Sequence, residues 1–129
     1  MQPKRLLVID DEDDIRDVAS MTLELTRGWQ IETAASGTRG VAAALCERPD
    51  VILLDVMMPD LDGPATFRLL QSHQETRDIP VIFLTAKVQP ADLRKFTQLG
   101  VRGVIAKPFD PLKLAGQISE ILDWKEEAA

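Results

Sequence analysis

Short runs of apolar residues alternate along the chain with longer segments in which apolar residues recur every three or four positions. The runs lie at 6–9, 30–34, 51–54, 81–84 and 101–106. Three of them, Leu-Leu-Val-Ile, Val-Ile-Leu-Leu and Val-Ile-Phe-Leu, are continuous, which is typical of strands that are buried on both faces of a sheet. The pattern predicts five strands separated by helices.

The segments between the runs have the periodicity of helices. One face of the first predicted helix carries Ile15, Val18, Ala19 and Thr22. Ser36 is placed to cap the second helix and Asp62 the third, because short polar side chains accept hydrogen bonds from the first amides of a helix. Pro64 then falls in the first turn of the third helix, where it needs no N–H.

Proline also stands near the predicted starts of the last two helices. Pro90 opens the fourth helix, which ends at Gly100. The inward residues of this helix are Leu93, Phe96 and Leu99. Asp110-Pro111 predicts the start of the fifth helix. Its inward stripe is Leu114, Ala115, Ile118, Ile121 and Leu122.

Five strands alternating with five helices predict an α/β fold, (βα)5, in which a parallel sheet is covered on both faces. No linker, repeat or low-complexity segment divides the 129 residues, so we expect residues 1–129 to form a single domain. In doubly wound sheets, functional groups gather at the carboxyl ends of the strands. The polar residues at those ends are therefore the candidates for chemistry.

Composition and charge narrow the class of protein. The net charge of −6 argues against direct nucleic-acid binding and suggests that a cation is wanted. No apolar run approaches the ~18 residues needed to span a membrane, and the single Cys46 points to a reducing, cytoplasmic compartment. We expect Trp29 and Trp124 to be packing or edge residues rather than binding platforms, and the acidic end of the chain, 120–129, to be a solvated helix end.

Polar residues stand at the ends of four predicted strands. They are Asp10 and Asp11, Asp55, Thr85 (followed by Ala86), and Lys107. Asp55 is the least expected, because a buried carboxylate is costly unless something pairs with it. Three converging carboxylates would raise one another's pKa, and Mg²⁺ with hard oxygen ligands would relieve the repulsion. A carboxylate beside Mg²⁺, a lysine and a hydroxyl is well placed to attack a phosphoryl group.

The motifs VIDDED, LLDVMMPDLDG, PVIFLTA and IAKPF resemble those of the receiver domain of two-component response regulators, including chemotaxis receivers. The resemblance runs from Lys4 to Trp124 and implies a flavodoxin-like sheet of order 2-1-3-4-5. It implies that Asp55 is the phosphoacceptor, supplied by a phosphohistidine on a sensor histidine kinase or a histidine phosphotransfer protein. Such a domain catalyses only its own phosphorylation and dephosphorylation, and so is not an enzyme with a separate substrate.

The resemblance also implies how Mg²⁺ is held. Asp11 and Asp55 would be direct ligands, joined by the backbone carbonyl of Met57. Asp10 would act through metal-bound water. Met57 and Lys87 occupy the two positions that tune the lifetime of the acyl phosphate in this family. Both side chains could shade the site from water, so we predict autodephosphorylation that is not especially fast.

Around the phosphoryl group, the resemblance gives Lys107 the role of pairing with its oxygens. Thr85, followed by Ala86, would hydrogen-bond to them and draw its loop inward, and the Lys107–Pro108 bond would be cis. One departure matters, because the family's aromatic switch residue on the fifth strand is Val104 here. No ring rotation can then report phosphorylation. The conventional output surface of helix four, strand five and helix five is therefore in question, and output would depend on the loop after strand four and the helix-four face.

Other readings remain open at this point. An Asp-nucleophile phosphatase would place a second Asp where this chain has Met57. A phosphorylation-independent receiver acting as an interaction module is disfavoured by the intact set of Asp10, Asp11, Asp55, Thr85 and Lys107. The chain ends soon after the fifth predicted helix, so we expect either a stand-alone receiver or one cut from a larger regulator or hybrid kinase. The downstream protein is unknown, and a homodimer through helices four and five is plausible.

Overall fold

The computed structural model describes residues 3–125, so the end of the predicted acidic tail, 126–129, lies outside the described residues. Strands and helices alternate along this part of the chain. They are β1 (Arg5–Ile9), α1 (Asp13–Arg27), β2 (Gln30–Ala34), α2 (Gly37–Glu47), β3 (Val51–Asp55), α3 (Gly63–Ser72), β4 (Val81–Thr85), α4 (Pro90–Leu99), β5 (Gly103–Ala106) and α5 (Leu114–Leu122). All pairs of neighbouring strands are parallel, and their order is β2-β1-β3-β4-β5. The predicted flavodoxin-like (βα)5 fold is confirmed.

The sheet is buried between two helical layers, as the continuous apolar runs predicted. Successive side chains of a strand point to opposite faces. Leu7, Ile52 and Phe83 accordingly pack on the face covered by α2, α3 and α4, and Leu53 and Leu84 pack on the face covered by α1 and α5. All of these side chains are fully or almost fully buried. A sheet held this way supplies rigid strand ends.

The register brings the predicted functional positions level with one another. Ile9 lies beside Leu54, so the residues that follow them, Asp10 and Asp55, are neighbours at the edge of the sheet. On the other side Thr85 pairs with Ala106, and the N–H of Lys107 donates to the carbonyl of Thr85 at 2.8 Å. The carboxyl ends of β1, β3, β4 and β5 therefore lie together along one edge of the sheet, which we call the site edge.

The start of α5 differs from the sequence prediction. Asp110 and Pro111 form a turn, and the helix begins at Leu114. The Asp110 carboxylate accepts a hydrogen bond from the Leu112 N–H at 2.9 Å, and its carbonyl accepts one from the Lys113 N–H at 3.0 Å. Asp110 thus caps a separate turn rather than the helix.

Two residues predicted to face inward are exposed. Val18 on α1 is 40% exposed and Leu93 on α4 is 37% exposed. The buried face of α1 passes instead through Ala19 and Leu23, and on α4 only Phe96 is buried. None of the described helices has both the length and the apolarity to span a membrane.

Candidate functional site

Three carboxylates meet at the site edge. Asp10, Asp11 and Asp55 each contribute an oxygen atom, and these three atoms lie within 4.8 Å of one another. Asp10 and Asp55 are buried, whereas Asp11 is exposed. The cluster is therefore a buried pair that opens to solvent on the side of Asp11.

Lys107 supplies positive charge between the two buried carboxylates. Its Nζ lies 2.8 Å from Asp10 Oδ2 and 3.2 Å from Asp55 Oδ1, and its side chain is only 14% exposed. Backbone amides complete the contacts, because the Glu12 N–H donates to Asp10 Oδ1 and the Met57 N–H donates to Asp55 Oδ1. One ammonium thus faces two buried negative charges.

The pKa values reflect this imbalance. Burial, followed by the negative charge of Asp10, raises the pKa of Asp55 to about 6, although Lys107 and the Met57 N–H act in the opposite direction. Burial alone would lower the pKa of the Lys107 ammonium, but its hydrogen bond to Asp10 and the charges of both carboxylates raise it above the ordinary value. The site therefore favours additional positive charge.

The arrangement of donors fits a hard divalent cation. The three converging groups are all carboxylates, which suit Mg²⁺, and the exposed side at Asp11 leaves room for the water molecules that Mg²⁺ retains. The buried Asp10 Oδ2 has one close partner among the described residues, the Lys107 ammonium at 2.8 Å. A carboxylate oxygen has a second lone pair, which can accept a hydrogen bond from metal-bound water.

Thr85 connects the end of β4 to the loop that follows. It is buried, and its Oγ1 accepts a hydrogen bond from the N–H of Lys87 at 2.9 Å. Ala86 and Lys87 are exposed at the mouth of the site. On the opposite side of the mouth, the side chain of Met57 is 60% exposed.

The loop between β3 and α3 is tightly fitted against the site. A Cβ at Gly63 would lie 2.7 Å from the carbonyl oxygen of Asp55, so only glycine fits there. Asp62 caps α3 as predicted, accepting a hydrogen bond from the Ala65 N–H at 2.9 Å. The predicted cis bond before Pro108 is also present.

Val104, at the position where the family has an aromatic switch residue, is partly buried and packs against the same cluster as Leu99. Its neighbours on β5 are Gly103, Ile105 and Ala106, so this strand presents no aromatic ring. How phosphorylation is reported without a ring on this strand stays a prediction.

Sequence reasoning missed Arg16. Its Nη1 donates to the carbonyl oxygen of Asp10 at 2.7 Å, and its Nη2 pairs with the carboxylate of Asp13. Arg16 therefore anchors α1 to the turn that carries Asp10 and Asp11. The available signal was a lone basic residue in the acidic stretch DDEDDIRD.

Comparisons with known proteins identify the family to which this sequence is similar. The family model described as the response regulator receiver domain matches residues 6–119. The DNA-binding dual master transcriptional regulator RpaA of Synechocystis is 36% identical over 118 residues, which cover 92% of this chain and 48% of that protein. The chain thus spans about half the length of the curated relatives it matches.

Two solved structures show the same fold. The chemotaxis protein CheY4 of Vibrio cholerae has a TM-score of 0.87 at 30% identity, over 93% of this chain and 99% of that chain. The receiver domain of the sensor histidine kinase PA1611 of Pseudomonas aeruginosa has a TM-score of 0.82 at 27% identity, over 95% of this chain and 99% of that chain. The PA1611 structure has a magnesium ion coordinated in the active site cleft.

Proposed function

The chain belongs to the response regulator receiver domain family, and on this premise we propose that Asp55 is its phosphoacceptor. Receiver domains are signalling modules that bind Mg²⁺ at their acidic site and work with histidine kinases. The phosphoryl group would come from a phosphohistidine on a sensor histidine kinase or a histidine phosphotransfer protein. Phosphorylation would then change the contacts of this domain with a downstream protein.

One observation carries the proposal. Lys107 Nζ lies 3.2 Å from Asp55 Oδ1 at the end of a buried strand. A carboxylate buried solely for stability would have a matched partner, whereas Asp55 competes with Asp10 for a single ammonium. The second carboxylate makes the pair poor for stability and suitable for binding a cation and a phosphoryl group.

The chemistry follows from the position of each group. An oxygen of the Asp55 carboxylate bonds to phosphorus while the bond from phosphorus to the donor nitrogen breaks, and the donor imidazole leaves. Lys107 is near enough to pair with an oxygen of the transferred group, and the Thr85 hydroxyl would donate a hydrogen bond to another. When bound, Mg²⁺ supplies further positive charge against the oxygens of the transferred group.

The metal would be held by the residues identified from the resemblance. We propose Asp11, Asp55 and the backbone carbonyl of Met57 as direct ligands, with Asp10 acting through a water molecule. The convergence of the three carboxylates, with Asp10 and Asp55 buried and Asp11 open to solvent, supports the assignment. Met57 and Lys87 would shield the acyl phosphate, which would give a slow loss of phosphate without a partner.

The wider assignments are proposals as well. Residues 1–129 would form one receiver domain, acting in the cytoplasm, without direct contact with nucleic acid or membrane. A homodimer through α4 and α5 is compatible with the exposure of Leu93.

Intact mass after incubation with acetyl phosphate and Mg²⁺ tests the proposal. We expect a gain of one phosphoryl group in the unmodified chain and in the control Asp60→Asn, which alters an exposed residue of the same loop. Asp55→Asn should gain none. Phosphorylation of Asp55→Asn to the wild-type level would refute the assignment. Loss of a ³²P label within seconds in Mg²⁺ buffer would refute the slow dephosphorylation.

A further inference from the structure

A groove lies between α3 and α4, next to the loops that follow β3 and β4. Its volume is about 840 Å³, which is within the ~300–1,000 Å³ typical of ligand sites. Met58 and Phe96, which are both buried, contribute to its apolar lining together with Pro64 and Leu99. The groove therefore offers an apolar surface large enough to receive several side chains.

Basic side chains surround this lining. Arg68 on α3, Lys87 in the loop before α4 and Lys95 on α4 are all exposed. None of the three makes an ion pair within residues 3–125. Their charges are available to a ligand.

The acidic side chains of the groove are less available. Asp62 caps α3 through its hydrogen bond with the Ala65 N–H, and Asp92 lies in the first turn of α4, where a negative charge is favoured by the helix dipole. The groove is thus locally positive on a chain whose net charge is −6. This reversal of sign favours an acidic ligand.

We infer that this groove is a docking site for an acidic segment of a partner protein, which places apolar side chains on the lining and carboxylates against Arg68, Lys87 and Lys95. A small inorganic anion would leave the apolar lining unused, and the acidic character of the chain disfavours nucleic acid. The coupling of this site to phosphorylation rests on the function proposed above.

Two hydrogen bonds connect the groove to the phosphoacceptor. Met57 and Lys87 both line the groove. The N–H of Met57 donates to Asp55 Oδ1 at 3.3 Å, and the N–H of Lys87 donates to Thr85 Oγ1 at 2.9 Å. A phosphoryl group on Asp55 that also recruits Thr85 must alter both bonds, and hence both walls of the groove. This route needs no aromatic ring on β5, where the chain has Val104.

Two synthetic peptides of equal length provide the probe. Both carry leucine at the same positions with helical spacing, and one has Glu and the other Lys at the remaining positions. Each is added to the ¹⁵N-labelled chain up to about 1 mM, and amide shifts are mapped by NMR. We expect the Glu peptide to shift amides of α3, α4 and the β3–α3 loop with saturation, and the Lys peptide to leave them unchanged.

Charge reversal identifies the groove as the site. Arg68→Glu and Lys95→Glu should each weaken the Glu peptide at least fivefold. Arg102→Glu, which changes an exposed residue at the opposite edge of the sheet, should not. Shifts confined to another face, equal binding of both peptides, or no binding of either would overturn the inference. A concentration-dependent dimer that protects the same amides would assign the groove to a second copy and also overturn it.

Phosphorylation completes the test. With acetyl phosphate and Mg²⁺, the affinity for the Glu peptide should change at least fivefold, and Asp55→Asn should abolish that change. Failure of the two proposals can be distinguished. Phosphorylation of Asp55 without peptide binding removes the docking site alone, whereas peptide binding to a chain that cannot be phosphorylated removes the function proposed above.

Discussion

Charged side chains are arranged differently at the two edges of the sheet, the site edge and the edge formed by the amino ends of the strands. At the site edge, Asp10 and Asp55 are buried and share the single ammonium of Lys107. At the other edge, Arg5 and Glu47 form an exposed ion pair of 2.6 Å. The first arrangement concentrates unbalanced charge away from water, and the second leaves balanced charge in water.

Aromatic packing adds to the contrast. At the edge away from the site, the rings of Trp29 and Trp124 meet edge to face at 5.6 Å, and Lys4 Nζ lies 4.5 Å from the centre of the Trp124 ring. These contacts confirm the prediction that both tryptophans pack. One edge of this sheet therefore stabilises the fold, whereas the site edge is less stable than it could be because its residues are arranged to bind charge.

Removal of Lys107 should have the largest effect, because it removes the ammonium that the buried carboxylates of Asp10 and Asp55 share. Lys107→Gln should destabilise the metal-free chain by roughly 3–5 kcal/mol and slow phosphorylation by acetyl phosphate about 100-fold or more. Urea unfolding and intact mass measure the two effects. Lys113→Gln, an exposed control, should change neither. Equal stability of Lys107→Gln and Lys113→Gln would show that the Lys107 ammonium is not needed to balance the buried carboxylates.

Asp55→Asn should act in the opposite direction and stabilise the metal-free chain. The pKa of Asp55 rises from 3.8 to about 6 on folding, so the native state binds more protons than the unfolded state between these values. Wild-type stability is therefore lost as the pH rises through this window. We expect the variant to gain about 3 kcal/mol at pH 7, since one pKa unit corresponds to about 1.4 kcal/mol, and almost nothing below about pH 4.

Urea denaturation in EDTA at several pH values measures this difference. Addition of Mg²⁺ should reduce or reverse it, because the cation stabilises only the carboxylate form. If the stability gained by Asp55→Asn were the same at every pH, folding would not raise the pKa of Asp55.

Trp124→Ala should lower stability and leave the chemistry intact. The variant loses the contact with Trp29 and the cation–π contact with Lys4, which we expect to cost about 1–3 kcal/mol. Phosphorylation of the folded variant, followed by intact mass, should proceed at the wild-type rate. A slower rate would show that the two edges are coupled.

The exposed pair of Arg5 and Glu47 should have the smallest effect. Both side chains are about two-fifths exposed, and we expect a coupling energy of at most ~0.5–1 kcal/mol from a double-mutant cycle with alanine. The coupling should shrink further in 1 M salt. A coupling energy as large as the loss of stability expected for Lys107→Gln would show that the two edges do not differ in this way.

Much of the fold and the convergence of the site were predictable from the sequence, for a physical reason. Continuous apolar runs such as 51–54 are typical of strands in a sheet covered on both faces, and the carboxyl ends of parallel strands in such a sheet lie at the same edge. The meeting of Asp10, Asp55 and Lys107 therefore follows from their positions after the runs. The proposed phosphoryl chemistry rests on the combination of carboxylates, a hydroxyl and an ammonium at this one edge.

Other features had no adequate sequence signal. Helical spacing identified a face for α1 and α4, but the extent to which neighbours cover that face decides whether Val18 and Leu93 are buried. Asp110-Pro111 suits a helix start and a turn equally well, and the side-chain hydrogen bond decided for the turn. The contact of Arg16 with Asp10 depends on the reach of a long side chain across a turn. The α3–α4 groove depends on the spacing of two helices.

The pairing of Trp29 with Trp124 has a practical consequence for anyone who studies this protein. The chain has two tryptophans and no tyrosine, and both indoles lie at the sheet edge remote from Asp55. Intrinsic fluorescence should therefore report global unfolding faithfully while remaining almost silent to magnesium binding and to phosphorylation. A tryptophan introduced beside Met57 or Lys87 should change its fluorescence on magnesium binding and on phosphorylation, so that the same measurement also follows activation.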